Sequence, residues 1–129
     1  MVNEKTHLNQ ISSTANYSTG MNGKMIQHSV EIFSRWIKSG SILELGPADG
    51  LSTEHLHCLS DDYHIVEGSE DFCKLLKTKF PQINITNTLF EEFVPQRKYT
   101  NIVLGHVLEH VENPIEVIQM CIEWLEPGG

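Results

Sequence analysis

The residues best suited to chemistry surround a short turn in the segment SILELGPADG, residues 41–50. Three small residues, Gly46, Ala48 and Gly50, follow a run of apolar and carboxylate positions. A turn without large side chains lets a ligand approach the main chain closely. A tight connection between a strand and a helix has the same composition, so the turn alone does not establish a binding site.

A carboxylate lies at a suitable distance from this turn. Glu67 ends the next apolar segment, YHIVE, and follows Gly46 by 21 residues. In nucleotide-binding α/β folds, a carboxylate about 20 residues beyond the turn accepts hydrogen bonds from the ribose hydroxyls. The two features together predict a ligand that contains adenosine.

The charges at the turn indicate which adenosine ligand it is. A dinucleotide fold requires a third glycine where this chain has Leu51, so the dinucleotide pattern fails. Glu44 and Asp49 would repel a pyrophosphate but suit an ammonium and a sulfonium. S-adenosylmethionine carries both groups, and the sequence predicts it as the cofactor, with S-adenosylhomocysteine as its product.

The hydrophobic pattern predicts the elements that position these residues. Apolar runs at 41–46, 63–67, 82–86 and 100–105 indicate strands that are too apolar to be exposed. Helices are predicted from about residue 22 to Gly40, near 51–59, at 70–79 behind a Ser69 cap, and at 114–125 behind Asn113. The last helix is expected to bury Ile115, Ile118, Ile122 and Leu125, while Trp36 and Trp124 are expected in the core.

Alternating strands and helices predict an α/β fold, a Rossmann-like three-layer sandwich with a mostly parallel sheet. The expected strand order is 3-2-1-4, which places the ligand beyond the strand ends at the switch point between the first and fourth strands. Residues 1–21 are polar and aperiodic, and they are interpreted as a flexible arm that orders only when tethered. Residues 22–129 are expected to form the binding domain.

Composition limits the class of partner. Nine basic and seventeen acidic residues give a net charge of −8, which disfavours nucleic acid. No apolar run is long enough to span a membrane, so no membrane partner is expected. Three cysteines without paired spacing favour a reducing, cytoplasmic location.

Several segments together resemble the class I S-adenosylmethionine-dependent methyltransferases, of the type that acts on small molecules. ELGPADG is similar to the family's first motif, VEGSEDF to its second strand, and NIVLGHVLEHVENP with WLEPGG to its fourth strand and next helix. The resemblance implies methyl transfer to a small-molecule acceptor that the sequence does not identify. It implies cofactor-binding roles for Glu44, Gly46, Pro47, Ala48, Asp49, Gly50, Glu67, Gly68, Ser69, Thr88, Leu89, Phe90, Gly105, His106 and Tyr17.

Within this set the resemblance assigns Glu44 and Gly46 to the methionine part and Gly68 to the adenine. Tyr17 is expected to cover the cofactor's carboxylate. Methyl transfer needs no protein nucleophile, and His106 is the only visible candidate for a general base. No metal ligand is predicted.

The chain departs from the family pattern in two places. Ala48 replaces a glycine, which requires a negative φ at this position. The family continues with further strands after the glycines, whereas this sequence ends at Gly129. We therefore expect a truncated domain that lacks the C-terminal strands, self-association through an exposed fourth strand, and little methyl transfer by residues 1–129 alone.

Two alternative functions remain to be weighed. His106, Glu109 and His110 match the H-x-x-E-H motif of zinc peptidases, but Pro114 follows closely and a long helix is not expected there. This reading is disfavoured. The second alternative is a catalytically inactive module of the same fold that binds a nucleoside or a protein partner.

Overall fold

A parallel sheet forms the centre of the computed structural model, which describes residues 4–14 and 20–129. The strands are β1 (Ile42–Leu45), β2 (Tyr63–Glu67), β3 (Asn84–Asn87) and β4 (Asn101–Leu104). The helices are α1 (Glu4–Thr14), α2 (Gly20–Ser34), α3 (Leu51–Leu56), α4 (Glu70–Lys79) and α5 (Pro114–Trp124). Short 3₁₀ turns lie at His57–Leu59, Phe90–Glu92 and Leu108–His110.

The strands run in the order β3-β2-β1-β4, and every pair is parallel. Both the parallel sheet and the strand order are therefore confirmed. Leu45 at the end of β1 is in register with Val66 on β2 and with Leu104 on β4. The carboxyl ends of these three strands thus meet at one edge. Between β1 and β4 the order in which strands are added to the sheet reverses.

Apolar side chains cover both faces of the sheet, which gives the expected three layers. Ile42, Ile65 and Val103 pack with residues of α2, α3 and α4 on one face. Leu43, Leu45 and Val66 pack with α5 on the other face. Alternate residues of the central strands therefore enter different clusters, as the two-residue repeat of a strand requires.

Two predicted helix caps are confirmed. Ser69 Oγ accepts a hydrogen bond from the Phe72 N–H at the start of α4. The Asn113 side chain accepts one from the Glu116 N–H, with Pro114 in the first turn of α5. Gly40 does not end a helix, because α2 already stops at Ser34. It has φ +140°, and a Cβ there would lie 2.2 Å from Thr100 Oγ1. Glycine is therefore required at this position, because Thr100 packs directly against its backbone.

The prediction for the buried face of α5 is wrong. Ile115, Ile118 and Ile122 are 67%, 43% and 64% exposed. The buried side chains are Val117, Cys121 and Trp124, which pack on Leu43, Leu45, Val66 and Tyr99. Apolar residues repeat at helical spacing on two sides of α5. The sequence pattern therefore allows either side to be buried, and only packing against the sheet determines which one is.

Other expected core residues lie at the surface. Trp36 follows the end of α2 and is 79% exposed, so its core assignment is wrong, whereas Trp124 is buried. β3 is an edge strand with partly exposed residues, contrary to the expectation of a buried strand. Its outer position leaves it one strand neighbour instead of two.

The start of β4 has a partner besides β1. Tyr99, which leads into β4, forms a parallel bridge with Leu125. The Tyr99 N–H donates to the Trp124 carbonyl, and the Glu126 N–H donates to the Tyr99 carbonyl. Across residues 4–14 and 20–129, no helix is long and apolar enough to cross a membrane.

Candidate functional site

A cavity lies beyond the carboxyl ends of β1, β2 and β4, where the sequence places the ligand. Its lining includes most of the residues predicted for the site: Gly46, Pro47, Ala48, Asp49, Glu67, Gly68, Ser69, Leu89, Phe90, Gly105 and His106. Glu44, Gly50 and Thr88 are not part of the lining. Tyr17 lies outside the described residues.

The turn after β1 has an unusual backbone. Gly46 has φ +62°, and a Cβ there would lie 3.1 Å from both Phe90 Cζ and Val107 Cγ2. Ala48 has φ +53°, so the expectation of a negative φ is wrong. Left-handed backbone costs a residue with a Cβ about 1–2 kcal/mol. The turn therefore stores strain beside the cavity, as functional sites often do.

Glu67 connects the turns that follow β1 and β2. Its Oε1 accepts a hydrogen bond of 2.8 Å from the Ser69 N–H, and its Oε2 accepts one of 3.2 Å from the Ala48 N–H. The residue is 5% exposed, and burial raises the pKa of its carboxyl although these N–H donors oppose the shift. A carboxylate has about four acceptor positions, so Glu67 can accept further bonds from a ligand.

Glu44 is buried among hydroxyl groups. Its carboxylate is buried and accepts hydrogen bonds from Ser52 Oγ at 2.5 Å, Thr53 Oγ1 at 2.6 Å and Tyr63 Oη at 2.8 Å. Burial raises the pKa of Glu44, and the three hydroxyls only partly oppose this. Its oxygens join β1 to α3 and β2, and the residue lies outside the cavity lining, so its assignment to the methionine part stays a prediction.

The side of the cavity next to β2 and β3 is largely apolar. A Cβ at Gly68 would lie 2.7 Å from Leu8 Cδ1 and 3.3 Å from Leu89 Cδ2. Leu89 and Phe90 line the cavity, whereas the Thr88 N–H donates to the Glu67 carbonyl outside the lining. Leu8 and Leu89 therefore pack directly against the Gly68 backbone, and no larger residue would fit between them.

His106 lies at the end of β4 with φ +57°. Its Nε2 is 3.3 Å from Ser29 Oγ on α2, and its Nδ1 is 3.7 Å from Glu109 Oε1. His110 also lines the cavity and lies 4.0 Å from the same Glu109 oxygen. The H-x-x-E-H segment therefore forms a bend and a three-residue 3₁₀ turn, not the long helix that a peptidase needs.

Sequence reasoning missed the contribution of α1. The segment predicted as a flexible arm is helical over Glu4–Thr14 and adds Glu4, His7 and Leu8 to the cavity. It is tethered by Asn9 Oδ1, which accepts hydrogen bonds from Ser69 Oγ and the Glu70 N–H. These contacts join residues 60 and 61 positions apart, so no local signal could have predicted them.

Other missed residues come from predicted elements. From α2 these are Ile26, Ser29, Val30 and Phe33, and from elsewhere Leu51, Ser52, Phe72, Glu91, Val107, His110 and Val111. Val30 also belongs to the core cluster on the face of the sheet that α2 covers, and Ile26 and Phe33 pack against that cluster. Among the described residues, no group of three or more His, Cys, Asp or Glu could hold a metal ion.

Comparisons with known proteins agree with this architecture. The sequence profile of a family described as a methyltransferase domain matches residues 19–129. A search of curated protein sequences gave no match to this chain.

Three solved structures illustrate the similarity of fold. N-methyltransferase NodS from Bradyrhizobium japonicum WM9, in complex with S-adenosyl-L-homocysteine, has a TM-score of 0.84 at 18% identity over 98% of this chain and 70% of that chain. A complex of DhpI with SAM and HEP has a TM-score of 0.78 at 18% identity over 98% and 61% of the two chains. The glycopeptide N-methyltransferase MtfA, complexed with sinefungin, has a TM-score of 0.66 at 20% identity over 81% and 47%. This chain therefore spans about 61% of the length of DhpI.

Proposed function

This chain belongs to the methyltransferase domain family, and we propose on that basis that it binds S-adenosylmethionine and takes part in methyl transfer to a small-molecule acceptor. The single observation that carries the proposal is the position of Glu67. It is a buried carboxylate that lines the cavity, bridges two strand-end turns and retains acceptor positions. Ribose hydroxyls are the natural donors for those positions.

The rest of the cavity fits the other parts of this cofactor. We place the adenine against the apolar side chains of the lining next to Gly68, those of Leu8, Leu89 and Phe90. The methionine part fits over the turn at Gly46 and Ala48, where the missing side chain at Gly46 allows close approach. Asp49 in the same lining supplies negative charge for the cofactor's ammonium group.

The chain's own residues would align the reactants and exclude water. The bound cofactor supplies an activated methyl group, so the protein needs no nucleophile of its own. Ile26, Phe33 and Val111 give the cavity apolar walls near the end of β4. His106 lies beside them with Ser29 Oγ 3.3 Å away, and we assign it the role of proton acceptor for the methyl acceptor.

The ligands of related structures support the assignment of S-adenosylmethionine as the cofactor. NodS is described in complex with S-adenosyl-L-homocysteine, DhpI with SAM and with SAH, and MtfA with sinefungin. We also propose a cytoplasmic location, which the three free cysteines support. We further propose self-association through β4. Neither point is needed for the cofactor assignment.

A turnover assay tests the proposal after binding has been established. Formation of S-adenosylhomocysteine from S-adenosylmethionine should depend on an added acceptor and should fall strongly in His106→Ala. His55→Ala changes a surface histidine that does not line the cavity and serves as the control. Cofactor binding without turnover across a broad panel of acceptors would favour the binding-only module instead.

A further inference from the structure

The charges that line the cavity are unbalanced. Four carboxylates belong to the lining, from Glu4, Asp49, Glu67 and Glu91, together with three histidines. No lysine or arginine of the described residues belongs to it. An anionic ligand would therefore meet repulsion in this cavity, whereas a cation would be attracted.

The negative charge is concentrated around Glu4, at the start of α1. Burial and then the carboxylates of Glu91, Glu112 and Glu92 raise the pKa of Glu4, and only His7 opposes them. Lys5 pairs with Glu92 at 3.6 Å, and their side chains are 45% and 58% exposed, so this ion pair lies at the rim of the cavity, where the exposed Glu4 and Glu91 also lie. The negative charge of Glu91 therefore disfavours ionisation of Glu4, which lines the same cavity.

Negative charge also lies behind the histidines at the end of β4. Glu109 Oε1 is 3.7 Å from His106 Nδ1 and 4.0 Å from His110 Nε2. Both histidines line the cavity, and His106 borders the part of it that faces α2, with its Nε2 3.3 Å from Ser29 Oγ. The acceptor side is therefore acidic as well, and its walls are apolar.

The cofactor does not neutralise all of this charge. S-adenosylmethionine carries one net positive charge, since its carboxylate cancels one of its two cationic groups. Glu67 faces the neutral ribose hydroxyls in the proposed binding mode, and Asp49 faces the ammonium group. For Glu4 and Glu91, no lysine or arginine lies in the lining among the residues that the structure describes.

We infer that the methyl acceptor is an amine, which binds in its ammonium form with the cationic head towards Glu4 and Glu91 and an apolar body against α2. This inference rests on the proposed function, because it uses the same cavity with the cofactor bound. It adds the chemical class of the acceptor, which the fold does not determine.

The chemistry of such an acceptor is balanced. The ammonium loses one proton, and we assign its acceptance to His106, the base proposed above. The nitrogen lone pair then forms a bond to the methyl carbon as the carbon–sulfur bond breaks, and that bond's electron pair stays on sulfur. The products are a methylated ammonium ion and the neutral thioether, with one proton released.

Three probes that share one skeleton test the inference. We would titrate 2-phenylethylamine, 2-phenylethanol and phenylacetate into protein saturated with S-adenosylhomocysteine, using calorimetry. The amine should bind at least about tenfold more tightly than the alcohol, and phenylacetate should bind most weakly. The preference should shrink when salt is raised from about 0.01 M to about 1 M.

Paired variants locate the charge. Glu4→Gln combined with Glu91→Gln should bring the amine and alcohol affinities to within about threefold. Glu123→Gln changes an exposed carboxylate on α5, outside the lining, and should keep the wild-type preference. If the double variant fails to fold, the affinities of the three probes for the wild-type protein still test whether the acceptor is an amine.

The two proposals fail in different ways. If the protein does not bind S-adenosylhomocysteine, the proposed function is wrong. If it binds S-adenosylhomocysteine but the amine binds no more tightly than the alcohol, or neither binds measurably, only the amine inference is overturned.

Discussion

The Ala48 N–H donates a 3.2 Å hydrogen bond to Oε2 of Glu67, and this contact joins the turns after β1 and β2. The other oxygen of Glu67 accepts the Ser69 N–H at 2.8 Å. One buried side chain therefore fixes two backbone turns and also faces the proposed ribose. Its removal should affect folding and ligand binding together.

Glu67→Ala should lower the free energy of unfolding by about 1–3 kcal/mol, because two backbone donors lose their acceptor. It should also weaken S-adenosylhomocysteine binding by about 1.5–3 kcal/mol through loss of the ribose contacts. Urea unfolding and calorimetry measure the two effects. Glu70→Ala removes an exposed carboxylate three positions away and should change both values little. Unchanged affinity in Glu67→Ala would contradict the ribose assignment.

Ala48→Gly should stabilise the protein. Ala48 has φ +53°, a conformation that glycine adopts without the Cβ penalty, so we expect a gain of about 1 kcal/mol. Lys77→Gly is the control, because Lys77 is an exposed residue within α4, where glycine should cost about 1 kcal/mol. Chemical denaturation measures both changes in the free energy of unfolding. A loss of stability in Ala48→Gly would show that the left-handed turn is not strained.

Gly46→Val should abolish cofactor binding and destabilise the fold. A Cβ at this position would lie 3.1 Å from Phe90 Cζ and Val107 Cγ2, at the edge of the cavity. Gly20→Val is the matched control, since Gly20 has a similar φ of +64° and no other described residue lies within 4 Å of a Cβ there. Both variants carry the left-handed strain, so calorimetry and thermal melting of the pair isolate the effect of crowding. Equal binding by the two variants would argue against ligand passage over Gly46.

Glu44 should make stability depend on pH. Its pKa in the folded state is raised above the usual 4.5 by burial, so the folded state holds the proton more tightly than the unfolded state. Its contribution is then fully present below about pH 4.5 and is lost as the pH rises through the folded pKa. Urea unfolding between about pH 4.5 and about pH 8 should show wild type losing stability relative to Glu44→Gln. A parallel pH profile for the two proteins would contradict the prediction.

Local signals were sufficient wherever the structure depends on neighbouring residues. Ser69 and Asn113 were correctly predicted as helix caps because capping is decided within four residues. The strand order followed from the alternation of elements. By contrast, the face that α5 buries depends on the sheet beneath it, so its isoleucines were misassigned.

The candidate site was predictable at the strand ends and not beyond them. Gly46 and Glu67 carry recognisable spacing, and both line the cavity. The hydrogen bonds of Glu44 could not be predicted, because its partners, Ser52, Thr53 and Tyr63, come together only in the fold. The helix α1 gave no signal, since its order depends on Asn9 bonding to Ser69 and Glu70.

Calorimetric titration of the wild-type protein with S-adenosylhomocysteine tests the central claim most directly, with NAD as the comparison ligand. The account predicts binding of one S-adenosylhomocysteine per chain and no binding of NAD, because Asp49 and Glu91 in the cavity would repel its pyrophosphate. Binding of NAD without binding of S-adenosylhomocysteine, or no binding of either ligand to the folded protein, would contradict it.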